Sequence, residues 1–159
     1  MAIQHITPFL WYDANAEEAA RFYVSVFGGS RITRLSRYGD DGPGPKGSVM
    51  VVDFELDGHR FTAINGGPAH KLSEAFSLLV DCTTQADIDR LWKALGEGGK
   101  YNVCGWLKDR FGLSWQINYA GFARLMSGDA ARADRVMGAL MKMTKVDVQA
   151  LEGAAAEPG

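Results

Sequence analysis

The sequence predicts an α+β domain of two βαβββ modules, their sheets curving around a shared cleft, followed by C-terminal helices. Three observations predict it. A strand ends at Asp13, and an amphipathic helix, a double glycine and further strands follow. The same order recurs from Asp81. Self-similarity at one large offset is the mark of a duplicated supersecondary unit. Third, Asp57-Gly58 sits between two alternating stretches, as a tight hairpin requires.

The elements follow in order. ITPFLWYD, residues 6–13, reads as the first strand. Asn15 is placed to cap a helix, with Glu18 three residues on and Ala19, Phe22, Tyr23 and Val26 at helical spacing. Gly28 and Gly29 end it, since glycine tolerates the left-handed cap. Strands at 31–38, 48–56 and 60–64 complete the first module, about residues 5–66, and GDDGPGPKGS links the first two. That loop carries Asp40 and Asp41 after Tyr38 and has the composition of a pocket cover or of a plain connection.

In the second module, about residues 73–120, AFSLLVD is the strand and Thr83 or Thr84 the helix cap. Ile88, Leu91, Trp92 and Leu95 form the apolar face, and Gly98 and Gly99 the stop. Shorter strands fall near Tyr101, at 105–108 and at 113–119. Residues 1–120 thus form one domain, and 121–159 a helical extension. In the extension, Asp129 starts a helix with Val136, Leu140 and Met143 on its stripe; a shorter helix follows, and AAAEPG reads as a frayed end. The stripe suits packing on the domain or on a second subunit, and a homodimer is expected.

Composition excludes several functions. The 159 residues are 47% hydrophobic and 23% charged with net charge −2, which is ordinary for a soluble domain. No basic stripe is evident, so nucleic acid is not the expected partner. No apolar run approaches the roughly 18 residues that span a bilayer. The N-terminus lacks a basic region followed by an apolar stretch, so it does not read as a signal peptide. Cys82 and Cys104 are in neither CxxC spacing nor a disulfide framework, and two reduced thiols in a cytoplasmic protein are expected.

Four stretches carry a family resemblance: PFLWYDANAEEAARFYVSVFG, FELDGHRFTAINGGP, SEAFSLLVDC and CGWLKDRFGLSWQI. They are similar to the PhnB-like branch of the vicinal oxygen chelate superfamily, which includes glyoxalase I, bleomycin-resistance proteins and extradiol dioxygenases. Members of the branch often carry the label 3-demethylubiquinone-9 3-methyltransferase. The resemblance runs from about residue 5 to 151.

The resemblance implies where a divalent metal would sit. Metal-dependent relatives hold one ion with His or Glu from sheet edges, and it polarises substrate oxygens or activates water or dioxygen. Their last-strand ligand is a glutamate in a D-x-x-G-x-x-x-E pattern. Here Asp109 and Gly112 match, but Gln116 replaces the glutamate. A neutral amide is a much weaker ligand than a carboxylate. Glu74 lies in SEAF where such relatives show a His, and Asn65 stands at the fourth-strand position. The first-strand position falls near Ile6 or Pro8, and a one-residue shift puts His5 on the other face. No metal or other cofactor is therefore expected. His5, His70 and Glu74 are the weaker alternative as an improvised site.

What remains is a pocket for a small-molecule ligand. Its candidates are Trp11, Asn65, Glu74, Cys104, Trp106 and Gln116. Asn65-Gly66-Gly67-Pro68 would let backbone approach the ligand. Trp115 and Gln116 must face opposite sides of their strand. Lys108-Asp109-Arg110 reads as a charged turn. A catalytic role for Cys104 would need a His or a helix N-terminus beside it, and the sequence shows neither. The alternative to binding is a lyase- or dioxygenase-type enzyme, using an improvised metal or acid–base chemistry around Glu74. Methyl transfer is disfavoured: the glycine clusters join strand to strand, whereas a methyl donor usually sits on a glycine-rich turn between strand and helix. GPGPKGS lacks the Gly-Lys-Ser order of a phosphate loop.

Overall fold

The computed structural model describes residues 4–156, and the chain divides into two units, residues 1–72 and 73–159, built on one plan. The first holds β1 (Phe9–Tyr12), α1 (Ala16–Val26), β2 (Arg31–Arg37), β3 (Val49–Leu56) and β4 (His59–Asn65). Its sheet has the order β1-β4-β3-β2, with β1 parallel to β4 and the other pairs antiparallel. The helix therefore carries the chain from one edge of the sheet to the other.

Alternation decides which face the helix covers. Leu10, Tyr12, Val52, Phe54, Leu56, Phe61 and Ala63 are buried, and α1 adds Ala16, Ala19, Ala20 and Tyr23. The alanines let the helix lie close, while Tyr23, Phe54 and Phe61 fill the space, with the two phenylalanines stacked at 5.4 Å. β1 is shorter than the sequence pattern predicts. Pro8 accepts a bond from Thr62 N at 3.0 Å but has no amide of its own to extend the ladder, and Ile6 is 91% exposed.

The cap of α1 is a second departure. Asn15 makes no side-chain cap bond. Instead Asn65, at the end of β4, accepts from Ala16 N at 2.7 Å and donates to Val49 O at 3.0 Å. One amide thus ties helix, β3 and β4 together. Asn65→Ala is expected to cost about 1–3 kcal/mol, from a lost cap and a lost strand anchor. Urea denaturation measures this, and Asn65→Asp, which keeps the acceptor at a helix N-terminus, should recover part of it.

The 39–47 loop is wrapped around one ring. Tyr38 is buried and donates to Asn65 O at 2.6 Å. Gly42 and Gly44 approach opposite edges of the ring, where a Cβ would fall 2.7 and 2.3 Å from ring atoms. Asp40 pairs with Lys46 at 2.6 Å.

The second unit repeats the plan with β5 (Ser77–Cys82), α2 (Gln85–Gly96), β6 (Lys100–Tyr101), β7 (Trp106–Lys108) and β8 (Ser114–Tyr119), in the order β5-β8-β7-β6. Thr84 is the α2 cap, accepting from Asp87 N at 3.1 Å. Helices α3 (Phe122–Met126), α4 (Ala130–Leu140) and α5 (Val148–Ala156) follow. Asp129 caps α4, as its place in the sequence predicts, by accepting from Arg132 N at 2.7 Å. The five-residue α3 has too short a period to show in the pattern. Ala154–Ala156, expected to fray, are helical, and residues 157–159 lie outside the described residues.

The extension packs in cis on the second unit. Cys104 N and Gly105 N donate to Met143 O and Thr144 O, each at 2.8 Å. Gln85 clamps the next residues, donating to Val146 O at 3.0 Å and accepting from Val148 N at 2.8 Å. Leu125, Val136, Val146 and Leu151 are fully buried. Glu152 accepts from Tyr119 and Arg124, and those bonds hold its carboxyl below the usual range.

Candidate functional site

The turn between β7 and β8 sets the geometry of the second sheet. Asp109 is buried. Its Oδ1 accepts from Phe111 N at 2.8 Å and Leu113 N at 3.1 Å, and its Oδ2 from Trp115 Nε1 at 2.8 Å. Gly112, at φ +91°, closes the turn. The charged-turn reading of Asp109 is therefore corrected: its carboxylate is the turn's internal organiser. The aspartate and glycine of the motif are structural, and they fix the pairing of Trp106 with Gln116 and of Lys108 with Ser114.

Alternation then splits the residues. Leu107, Trp115 and Ile117 go under α2 and are buried. Trp106, Lys108 and Gln116 take the other face, with Ser77 and Leu79 beside them on β5. Gln116 Nε2 donates to Ser77 Oγ at 2.9 Å. Its Oε1 has no partner among the described residues. Leu79, paired with Gln116, is 55% exposed. Ser114 lies two residues back on the same face, and its buried Oγ also lacks a partner among the described residues. The result is a mixed surface, with Trp106 and Leu79 beside Gln116, Ser77 and Lys108. At its edge Glu74 pairs with Lys108. That contact lowers the Glu74 pKa, so the carboxyl stays ionised near neutrality and is a weakened base.

The other candidates lie elsewhere. Trp11 donates from Nε1 to Gly67 O at 2.9 Å, and its ring lies on Gly66, where a Cβ would fall 2.2 Å away. The NGGP glycines thus receive the protein's own tryptophan. His70 meets the same ring edge-on at 4.8 Å. Asn65 is committed to backbone, though it borders a cavity of about 460 Å³ with Tyr38, Asp13 and Glu17. Cys104 faces a thioether, its Sγ 3.7 Å from Met141 Sδ, and has no histidine among its bonds. Burial pushes the Cys82 thiol up to about 11, which leaves it protonated.

The sequence reading missed a polar set on the face of the first sheet opposite α1. Arg34 and Thr62 both bond Asp53, at 2.6 and 2.7 Å, and Arg31 and Arg60 flank Glu55 at 2.8 and 3.7 Å. Arg34, Asp53, Glu55, Arg60 and Thr62 border a cavity of about 420 Å³. The alternation of RITRLSR with VVDFEL carried that signal, but only the register brings the charges opposite one another.

The donor set does not fit a divalent metal. His5 sits 3.3 Å from Arg60, a cation; His70 packs on Trp11; Glu74 is held by Lys108. Among the described residues no three His, Cys, Asp or Glu side chains converge to hold an ion.

A duplicated βαβββ unit with sheet order 1-4-3-2 and a helix across one face is the glyoxalase/bleomycin-resistance fold, within the vicinal oxygen chelate class. A family model described as 3-demethylubiquinone-9 3-methyltransferase matches residues 4–118, and the chain belongs to that family. Among solved structures, it is similar to a Bacillus cereus PhnB protein, described as a candidate 3-demethylubiquinone-9 3-methyltransferase. Identity is 37% over 74% of this chain and all of that one, with a TM-score of 0.67. Protein PA1353 from Pseudomonas aeruginosa is 25% identical over 74% of this chain and 98% of its own, with a TM-score of 0.61. No curated protein matches the chain. The family match stops before α3, so α3, α4 and α5 lie outside it. No helix among the described residues is long and apolar enough to cross a membrane.

Proposed function

We propose that this protein binds a small, neutral, oxygenated or aromatic molecule on the face of its second sheet opposite α2, without a catalytic divalent metal. The observation that carries the reading is Gln116. It stands where metal-binding relatives keep a carboxylate, spends its amide N–H on Ser77, and leaves a carbonyl oxygen beside Trp106 and Leu79. Fixed polar groups set beside apolar side chains, here Gln116 beside Trp106 and Leu79, are what orients a small molecule in a binding site. The methyltransferase description of the family gains no support from the chain's own residues. The turns that lead into α1 and α2, residues 13–15 and 83–84, contain no glycine.

The test is a thermal-shift screen of aromatic and oxygenated compounds, with and without EDTA. Compounds that raise Tm equally in both support the reading. Gln116→Leu should then weaken the best compound about tenfold, or about 1.4 kcal/mol, with a circular-dichroism melt close to wild type. Binding seen only after Zn, Ni, Mn or Fe is supplied, and lost with chelator, would sink it.

A further inference from the structure

The face of the first sheet opposite α1 carries two polar rows, and strand register builds both. Arg34, Asp53 and Thr62 are cross-strand partners on β2, β3 and β4, and so are Arg31, Glu55 and Arg60. A β-bulge makes the first row possible. The register of β2 skips Thr33 between Ile32 and Arg34, so Arg34 reaches Asp53 on the same face as Arg31, three positions earlier. A bulge gives up one ladder position to re-aim a side chain. The carboxylates of these rows are fully engaged. Asp53 accepts from Arg34 Nε at 2.6 Å on one oxygen and from Thr62 Oγ1 at 2.7 Å on the other. Glu55 holds Arg31 at 2.8 Å on one oxygen and Arg60 at 3.7 Å on the other. The guanidiniums are not. Arg34 bonds through Nε, and its two terminal nitrogens make no hydrogen bond among the described residues. Arg60 meets His5 through Nη1 at 3.3 Å, which leaves Nη2 without one. The acids lie beneath, with side chains 23% and 19% exposed, and Arg34 and Arg60 lie above at 68% and 59%. Exposed ion pairs add little stability, so stability does not account for two such rows side by side.

We propose that Arg34 and Arg60 bind the carboxylate of a small polar molecule in the cavity of about 420 Å³ that they border with Thr7, Thr33 and Thr62. The planar guanidinium offers N–H groups in a fork that matches a carboxylate, and here Asp53 and Glu55 hold the forks in place from below. Charge selects the class of anion. Arg31 does not border the cavity, but it shares Glu55 with Arg60. Three arginines against two carboxylates leave one positive charge over, which one carboxylate balances and a phosphate dianion exceeds. The threonine hydroxyls at the rim suit a polar body rather than a hydrocarbon one. All of these residues belong to the first unit, so the site does not rest on the Gln116 reading.

The experiment is a chemical-shift titration of the full chain with glycolate, succinate and benzoate, each beside its neutral amide, and with inorganic phosphate. At least one carboxylate should saturate a single site, about tenfold tighter than its amide, and weaken as salt is raised. Arg34→Gln and Arg60→Gln should each weaken it about fivefold or more, and Arg34→Lys, which keeps the charge but loses the fork, should weaken it too. Arg37→Gln removes an equal charge from the same strand outside the cavity and should leave binding unchanged. Far-UV circular dichroism of each variant separates a lost contact from a lost fold. Amides that bind as tightly as their acids overturn the proposal and leave the Gln116 reading untouched. It is equally overturned by phosphate binding more tightly than every carboxylate, or by a folded Arg34→Gln variant that binds as wild type does.

Discussion

Asp109→Ala should be among the most destabilising single substitutions in the second unit, at about 3–5 kcal/mol. The side chain is 3% exposed, and three N–H groups converge on its two oxygens. Removing it strands the indole N–H of Trp115, itself 1% exposed, in a place water does not reach. It also releases the amides that shape the turn, and with them the pairing that puts Trp106 opposite Gln116. Urea denaturation of wild type and variant gives the cost, and a drop in Tm of more than about 10 °C is expected. Asp109→Asn should fall between them. It keeps an acceptor for the two turn amides but turns an NH₂ toward the Trp115 N–H. A double-mutant cycle with Trp115→Phe isolates the indole bond. If Asp109→Ala costs under about 1 kcal/mol, the carboxylate is not the organiser described here.

Gly105→Ala should cost about 3 kcal/mol or more, for a different reason. The residue sits at φ +79°, directly after Cys104 at φ +58°. A Cβ there would lie 2.6 Å from Ile117 O and 2.9 Å from Val146 Cγ2. Neither can retreat easily. Ile117 N is bonded to Gly105 O at 2.8 Å, and Val146 is fully buried. Relief would require breaking either the bond to β8 or the one that docks the extension at Thr144. Loss of stability should therefore come with easier proteolysis near residues 141–147, read by mass spectrometry. Gly28→Ala is the control. It has open space around it and ordinary φ, so a change within about 0.5 kcal/mol is expected.

The sequence by itself determined the two modules, the helix faces and most strand ends, because these follow from short-range periodicity and turn chemistry. Thr84 and Asp129 could be read as caps because each acts on a residue three positions away. Gln116 was legible for a similar reason: its face follows from alternation along one strand, and its amide character from its identity. The tertiary structure alone decided the rest. Asn65 caps α1 from 49 positions away, although Asn15 stands at the local cap position. The NGGP glycines receive Trp11, Asp109 turns inward to Trp115, and the charges of β2, β3 and β4 pair across the first sheet. Each of these is settled by which strand lies beside which, and by space left near a backbone. Polar side chains bond whatever donor the fold delivers to them, and a linear pattern records the side chain but not the delivery.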